Sequence, residues 1–123
     1  MKKFLFALLA IMGIGASCTS SYEEWCLVVY DKSRSLVVPA AGQTNTIVLT
    51  TTSSVDLSCS EDWVHLGTTS YNVEENGKRY ELYPEVTFDA NTSDQERIAI
   101  IEFDNGGEYK LSLMYRQEAN QGE

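Results

Sequence analysis

The 123 residues carry 18 Asp and Glu against nine Lys and Arg, with a single His, for a net charge of −9 at pH 7. That sign argues against nucleic acid as a partner and against polybasic contact with anionic lipid, because both depend on cationic side chains that neutralise phosphate. The length suits one domain with one core and leaves no room for a second.

The N-terminus reads first as an address. Lys2 and Lys3 precede an unbroken apolar run of 11 residues, Phe4 to Ile14, which ends in the small residues Gly15, Ala16 and Ser17. A spanning helix needs about 20 apolar residues, whereas the apolar stretch of a signal peptide is about 7–15 long and is followed by small residues. Residues 1–17 are therefore expected to be a signal peptide, outside the fold. The small residues before Cys18 resemble a bacterial lipobox, which implies cleavage before Cys18, acylation of its thiol and anchoring in the outer membrane. Gly15 departs from the branched residue usual three places before that cysteine, and ordinary secretory cleavage after Ser17 is the alternative. Either way the first 17 residues hold two of the nine basic residues and none of the acidic ones, so the remaining 106 residues carry −11. Residues 18–26 then form the lipidated cysteine and a short tether, 27–119 the domain, and 120–123 a tail. Glu23 and Glu24 faintly resemble an acidic export signal, which favours the cell surface over the periplasmic face.

With Cys18 acylated, Cys26 and Cys59 remain in a compartment that permits disulfides. They are expected either to pair or to act as two small buried hydrophobes, since geometry rather than count decides bridging. Two cysteines and one histidine lack zinc-ligand spacing, and no metal or cofactor is expected.

Beyond the tether the chain reads as strands. "WCLVVY", "SLVV", "NTIVLTT", "SVDLSC", "WVHL", "RYELYPEVTF", "RIAIIEF" and "YKLSLMYRQ" are short, rich in β-branched and aromatic residues, and mostly alternate. Turn chemistry separates them at "PAAGQ", "EENGK", "DANTSDQE" and "DNGGE", with Asn105-Gly106-Gly107 a strong hairpin signal. Pro84 marks an edge or a bulge, because it has no N–H for a ladder. No window shows a helical period, and the pattern predicts an all-β antiparallel sandwich.

"SEDWVHL", "VTFDANTSDQERIAIIEF" and "YKLSLMYRQEA", preceded by "LVVPAAGQTNTIVLTT", resemble the BACON domain of Bacteroidetes over Leu27 to Ala119. The resemblance rests on Trp63 closing a polar turn, Asn91 in the loop leading to Arg97, Ala99 and Ile101, and Gln117 ending the last strand. It implies an immunoglobulin-like sandwich and binding of carbohydrate or mucin by a non-enzymatic module. The alternative is a structural spacer or a protein-interaction module that docks an envelope partner by strand addition.

The residues offer no clear catalytic set. His65 shares a strand face with Trp63, the adjacent Glu74 and Glu75 point apart in extended chain, and Ser58, Ser60 and Asp62 are close only in sequence. Asp89, Asn91, Asp94 and Glu96 lack the spacing and glycine of a calcium loop and fit turn capping instead. Glycan binding needs an exposed ring beside polar groups, because a sugar's C–H face stacks while its hydroxyls seek fixed partners. Strand parity sets Tyr80, Leu82, Val86 and Phe88 on one face and Tyr83, with Glu81 and Glu85, on the other. Tyr83 is the leading candidate, followed by Tyr71, Tyr109 and Trp25. Trp63, Phe88, Ala99, Ile101, Phe103, Leu111 and Leu113 are expected in the core.

Overall fold

A computed structural model describes residues 14–16, 26–74, 78–106 and 110–121. Its strands are β1 (Ile14–Ala16), β2 (Leu27–Asp31), β3 (Val37–Val38), β4 (Gln43–Thr51), β5 (Val55–Cys59) and β6 (Val64–Leu66), then β7 (Ser70–Tyr71), β8 (Tyr80–Leu82), β9 (Glu85–Phe88), β10 (Arg97–Asp104) and β11 (Lys110–Gln117). No helix occurs among the described residues.

The strands form two layers. One sheet runs β1-β2-β4-β9-β6, with β8 pairing β4 ahead of β9; the other runs β3-β11-β10-β5-β7. The order β2, β4, β9, β6 against β5, β10, β11 is that of an immunoglobulin-like sandwich, in which successive strands cross between layers. One pairing departs from the antiparallel expectation: β3 lies parallel to β11. The chain leaves β2, changes layer across residues 32–36 without reversing, and so reaches β11 running in the same direction. Ile14–Ala16, inside the stretch read as a signal peptide, lies antiparallel on the outer edge of β2.

Alternation sorts the side chains. In β4, Asn45, Ile47, Leu49 and Thr51 are buried against the opposite sheet, while Thr44, Thr46, Val48 and Thr50 occupy the outer face. Pro84 interrupts the run that would otherwise be one long strand, and its carbonyl still accepts the Ile47 N–H at 2.8 Å, so β9 keeps the face parity of β8. The core joins Leu27, Val29, Ile47, Leu49, Val86 and Phe88 of one sheet to Leu57, Ala99, Ile101, Phe103, Leu111, Leu113 and Tyr115 of the other, with Trp63 closing one end. Trp63, Phe88 and Tyr115 form a tilted aromatic chain through it, with centroids 6.2 Å and 4.9 Å apart.

The cysteine expectation needs correction. Cys59 is a free thiol, half-buried at the end of β5, and Cys26 is disulfide-bonded, so a Cys26–Cys59 bridge is not formed. Cys26 opens β2 in one sheet while Cys59 ends β5 in the other, and Cys59 is paired in register with Ile101.

Candidate functional site

The outer face of the β2-β4-β8/β9 sheet gathers the side chains best suited to a polar, ring-shaped ligand. Tyr30 lies opposite Val48, Val28 opposite Thr50, and Thr50 opposite Glu81. Tyr83, one residue past β8, continues that face and is 55% exposed, the most open large apolar side chain described. Val48 points outward between two core residues, Ile47 and Leu49, yet is only 5% exposed. Tyr30 is its partner in register on β2, and on the other side Tyr83 follows Leu82, the partner of Leu49. Hydrogen bonding to Glu81 raises the Tyr83 phenol above its ordinary value, with smaller contributions from partial desolvation and from the nearby Glu81 and Tyr30 groups. Thr44, Thr46 and Thr87 extend the face, with the Thr44 and Thr87 hydroxyls 2.9 Å apart.

At the β2 end of this face the guanidinium of Arg34 lies 4.3 Å from the Tyr30 ring centroid. Arg34 has a left-handed backbone, φ +65°, a conformation that costs a non-glycine residue about 1 kcal/mol or more. The turn that imposes it is over-determined. The Arg34 N–H donates to the Asp31 carbonyl at 2.8 Å, and the Asp31 carboxylate accepts from the Ser33 N–H at 2.8 Å and the Ser33 hydroxyl at 2.6 Å. Its other oxygen accepts from Asn45 Nδ2 at 2.7 Å and from the Tyr115 hydroxyl at 2.6 Å. Asp31 is buried, and four donors offset the desolvation of its carboxylate. Burial, followed by the hydrogen bond to Asp31, raises the Tyr115 phenol far above its ordinary range.

The motif residues come together elsewhere, at the end of the sandwich beyond Gln117. Arg97 stacks over Trp63 at 4.0 Å, its Nε donates to Gln117 Oε1 at 2.7 Å, and its terminal nitrogen donates to the carbonyls of Asp89 and Ala90 at 3.2 and 3.1 Å. The fully buried Gln117 donates onward to the carbonyls of Asp89 at 2.8 Å and Pro39 at 3.1 Å. Asn91 accepts from the Ser93 N–H and hydroxyl and donates to the carbonyls of Gln95 and Glu118. These four side chains pin three loops to the last strand. Trp63 is 8% exposed, so it offers little ring to a ligand.

The remaining candidates fall apart as a site. Tyr71, on β7, is half-buried and packs against the core. Cys18, Trp25 and Tyr109 lie outside the described residues, as do Glu23, Glu24 and Glu75. Phe88, Ala99, Ile101, Phe103, Leu111 and Leu113 are all buried. Of the acidic loop, Asp89 pairs with His65 at 2.9 Å and Glu96 with Arg116 at 2.7 Å, and no three acidic, His or Cys side chains gather to hold a metal among the described residues. His65 and Cys59 line one open cleft with Leu57, Ser58, Val64, Leu66 and Thr69. Burial pushes the Cys59 thiol up, which keeps it protonated rather than nucleophilic, and the His65–Asp89 pair stands in solvent. Sequence reasoning found Tyr83 by parity but missed Tyr30 and Arg34. Alternation in "CLVVY" carried the signal for Tyr30, with Leu27 and Val29 inward.

No family model matches the chain, and no curated protein sequence matches it. Among solved structures, a Bacteroides ovatus GH5 xyloglucanase in complex with a XXXG heptasaccharide is similar, with TM-score 0.59 and 20% sequence identity over 75% of this chain and 19% of that one. At this identity the likeness is one of fold. The chain spans about a fifth of that enzyme's length.

Proposed function

We propose that this chain is a non-catalytic, BACON-like module, lipid-anchored at the outer membrane through Cys18, that binds carbohydrate on the Tyr83 face. The observation that carries the reading is a sheet face with an exposed tyrosine ring, Tyr83, among threonine hydroxyls and carboxylates. An open ring supplies stacking area, and the fixed polar groups supply orientation. The fold likeness to part of a xyloglucanase in complex with a XXXG heptasaccharide points weakly in the same direction. A glycan array probed with the native protein and with Tyr83→Ala tests the reading: binding that falls at least tenfold in the variant supports it, and no binding across neutral and acidic glycans overturns it.

Anchoring makes a separate demand. The lipobox reading makes Cys18 the acylated first residue of the mature protein, whereas ordinary secretory cleavage after Ser17 leaves it without an acyl chain. Mass spectrometry of the N-terminal peptide under non-reducing conditions decides between them. Cys18→Ala should release the protein from membranes on fractionation.

A second reading has its own observation. Ile98, Ile100, Met114 and Val37 are exposed on the outer face of the other sheet, with Ile100 directly opposite Met114. That face suits a protein partner, and capture of one envelope protein that is lost on Ile100→Lys, without glycan binding, would favour the interaction module.

A further inference from the structure

We infer that the Tyr83 face selects glycans bearing an anionic group, a uronate carboxylate or a sulfate ester, with Arg34 binding the charge and Tyr83 stacking the neighbouring sugar. This rests on the carbohydrate reading above.

The two aromatic positions are not equivalent. Tyr83 presents an open ring, whereas the Tyr30 ring already carries the Arg34 guanidinium at 4.3 Å. A sugar therefore meets a ring at one side of Val48 and a cation at the other. Tyr30 and Tyr83 flank the same residue from strands on either side of β4, which sets them about 10 Å apart at the usual spacing of strands. An extended oligosaccharide spans such a gap.

Arg34 is held for this purpose rather than left to wander. Its left-handed backbone is fixed by a turn whose anchor, Asp31, is buried and bonded to Asn45 and Tyr115. Stacking over Tyr30 at 4.3 Å holds the guanidinium beside this face, and the N–H fork of a guanidinium matches two oxygens of a carboxylate or sulfate. No carboxylate among the described residues pairs with Arg34, although Asp and Glu abound on this chain, and Lys32 adds a second cation two residues away. The acidic residues of the face, Glu81 and Glu85, lie on the Tyr83 side, which orients an anionic sugar toward Arg34.

The test pairs polymers that share a sugar backbone and differ in whether they carry an anionic group. Full-length native protein, Arg34→Gly and Tyr83→Ala are measured against polygalacturonate and its fully methyl-esterified form, and against dextran sulfate and dextran. Native protein should bind a charged polymer on the order of tenfold more tightly than its neutral partner, with the preference collapsing at high salt. The responding pair tells carboxylate from sulfate. Arg34→Gly should abolish the preference while melting at or above the native temperature, because glycine accepts φ +65° without strain. Tyr83→Ala should weaken charged and neutral forms alike. Equal binding of charged and neutral polymers by the native protein, or a preference that survives Arg34→Gly, overturns the inference and leaves the carbohydrate reading standing. Binding of none of the four polymers by a folded native protein counts against both.

Discussion

Replacing Trp63 with alanine separates a structural tryptophan from a sugar platform. The ring is 8% exposed, touches Phe88 in the core and carries Arg97 at 4.0 Å. Truncating a buried tryptophan costs about 3–5 kcal/mol, and the lost cation–π contact adds roughly 0.5–1 kcal/mol. A domain of this size has about 5–15 kcal/mol in all, so Trp63→Ala should lower the melting temperature by more than about 12 °C or prevent folding. Arg97→Ala should cost less, about 1–3 kcal/mol, mainly because the buried Gln117 Oε1 loses its donor. In the double variant the two losses should fall short of additivity by about 0.5–1 kcal/mol, the worth of the stack itself. Urea denaturation followed by circular dichroism measures all three. If Trp63→Ala stays within about 0.5 kcal/mol of native and instead loses glycan binding, Trp63 is the platform and the core assignment is wrong.

Tyr83→Ala should do the reverse, shifting stability by under about 0.5 kcal/mol by urea denaturation while glycan binding falls. Gly42→Ala should destabilise the fold by well over 1 kcal/mol, since φ is +82° and an added Cβ would sit 2.4 Å from the Phe88 carbonyl oxygen; a melting temperature equal to native would refute this. Alkali should weaken the fold. Tyr115 keeps its proton in the folded state at a pH where the unfolded chain has lost one, so stability is intact below about pH 10, the unfolded value, and declines as pH rises above it. Denaturation midpoints at increasing alkaline pH should show that decline, and Tyr115→Phe should flatten it while lowering stability at neutral pH through the hydrogen bond lost to Asp31.

The layers were readable because burial follows parity. Asn45, Ile47, Leu49 and Thr51 alternate with outward residues in β4, and the same period placed Tyr83 outside even across Pro84. Trp63, Arg97 and Gln117 were all readable as motif members, but only the three-dimensional arrangement shows that Arg97 stacks on Trp63 and bonds Gln117. Arg34 left no trace in the sequence. Left-handed turn positions announce themselves through Gly or Asn, and here an arginine is forced into one by a carboxylate buried beneath it. The cysteines were unreadable for another reason: pairing depends on how close two Cα atoms come and how their Cβ bonds point, and counting cannot supply that.

The strand directions give the domain a top and a bottom. β2 starts beside Thr51, at the same end as the β10–β11 turn, and finishes beside Tyr115, toward the end where Arg97 and Gln117 pair. Cys26 therefore enters at one pole, while the turn bearing Arg34 and the loops pinned by Trp63, Asn91 and Gln117 crown the other. The eight residues of β11 alone put roughly 25 Å between the poles. If Cys18 anchors the chain as proposed, the tether meets the domain at the pole opposite Arg34, with Tyr83 between the two, which leaves the cation at the end of the domain farther from the anchor.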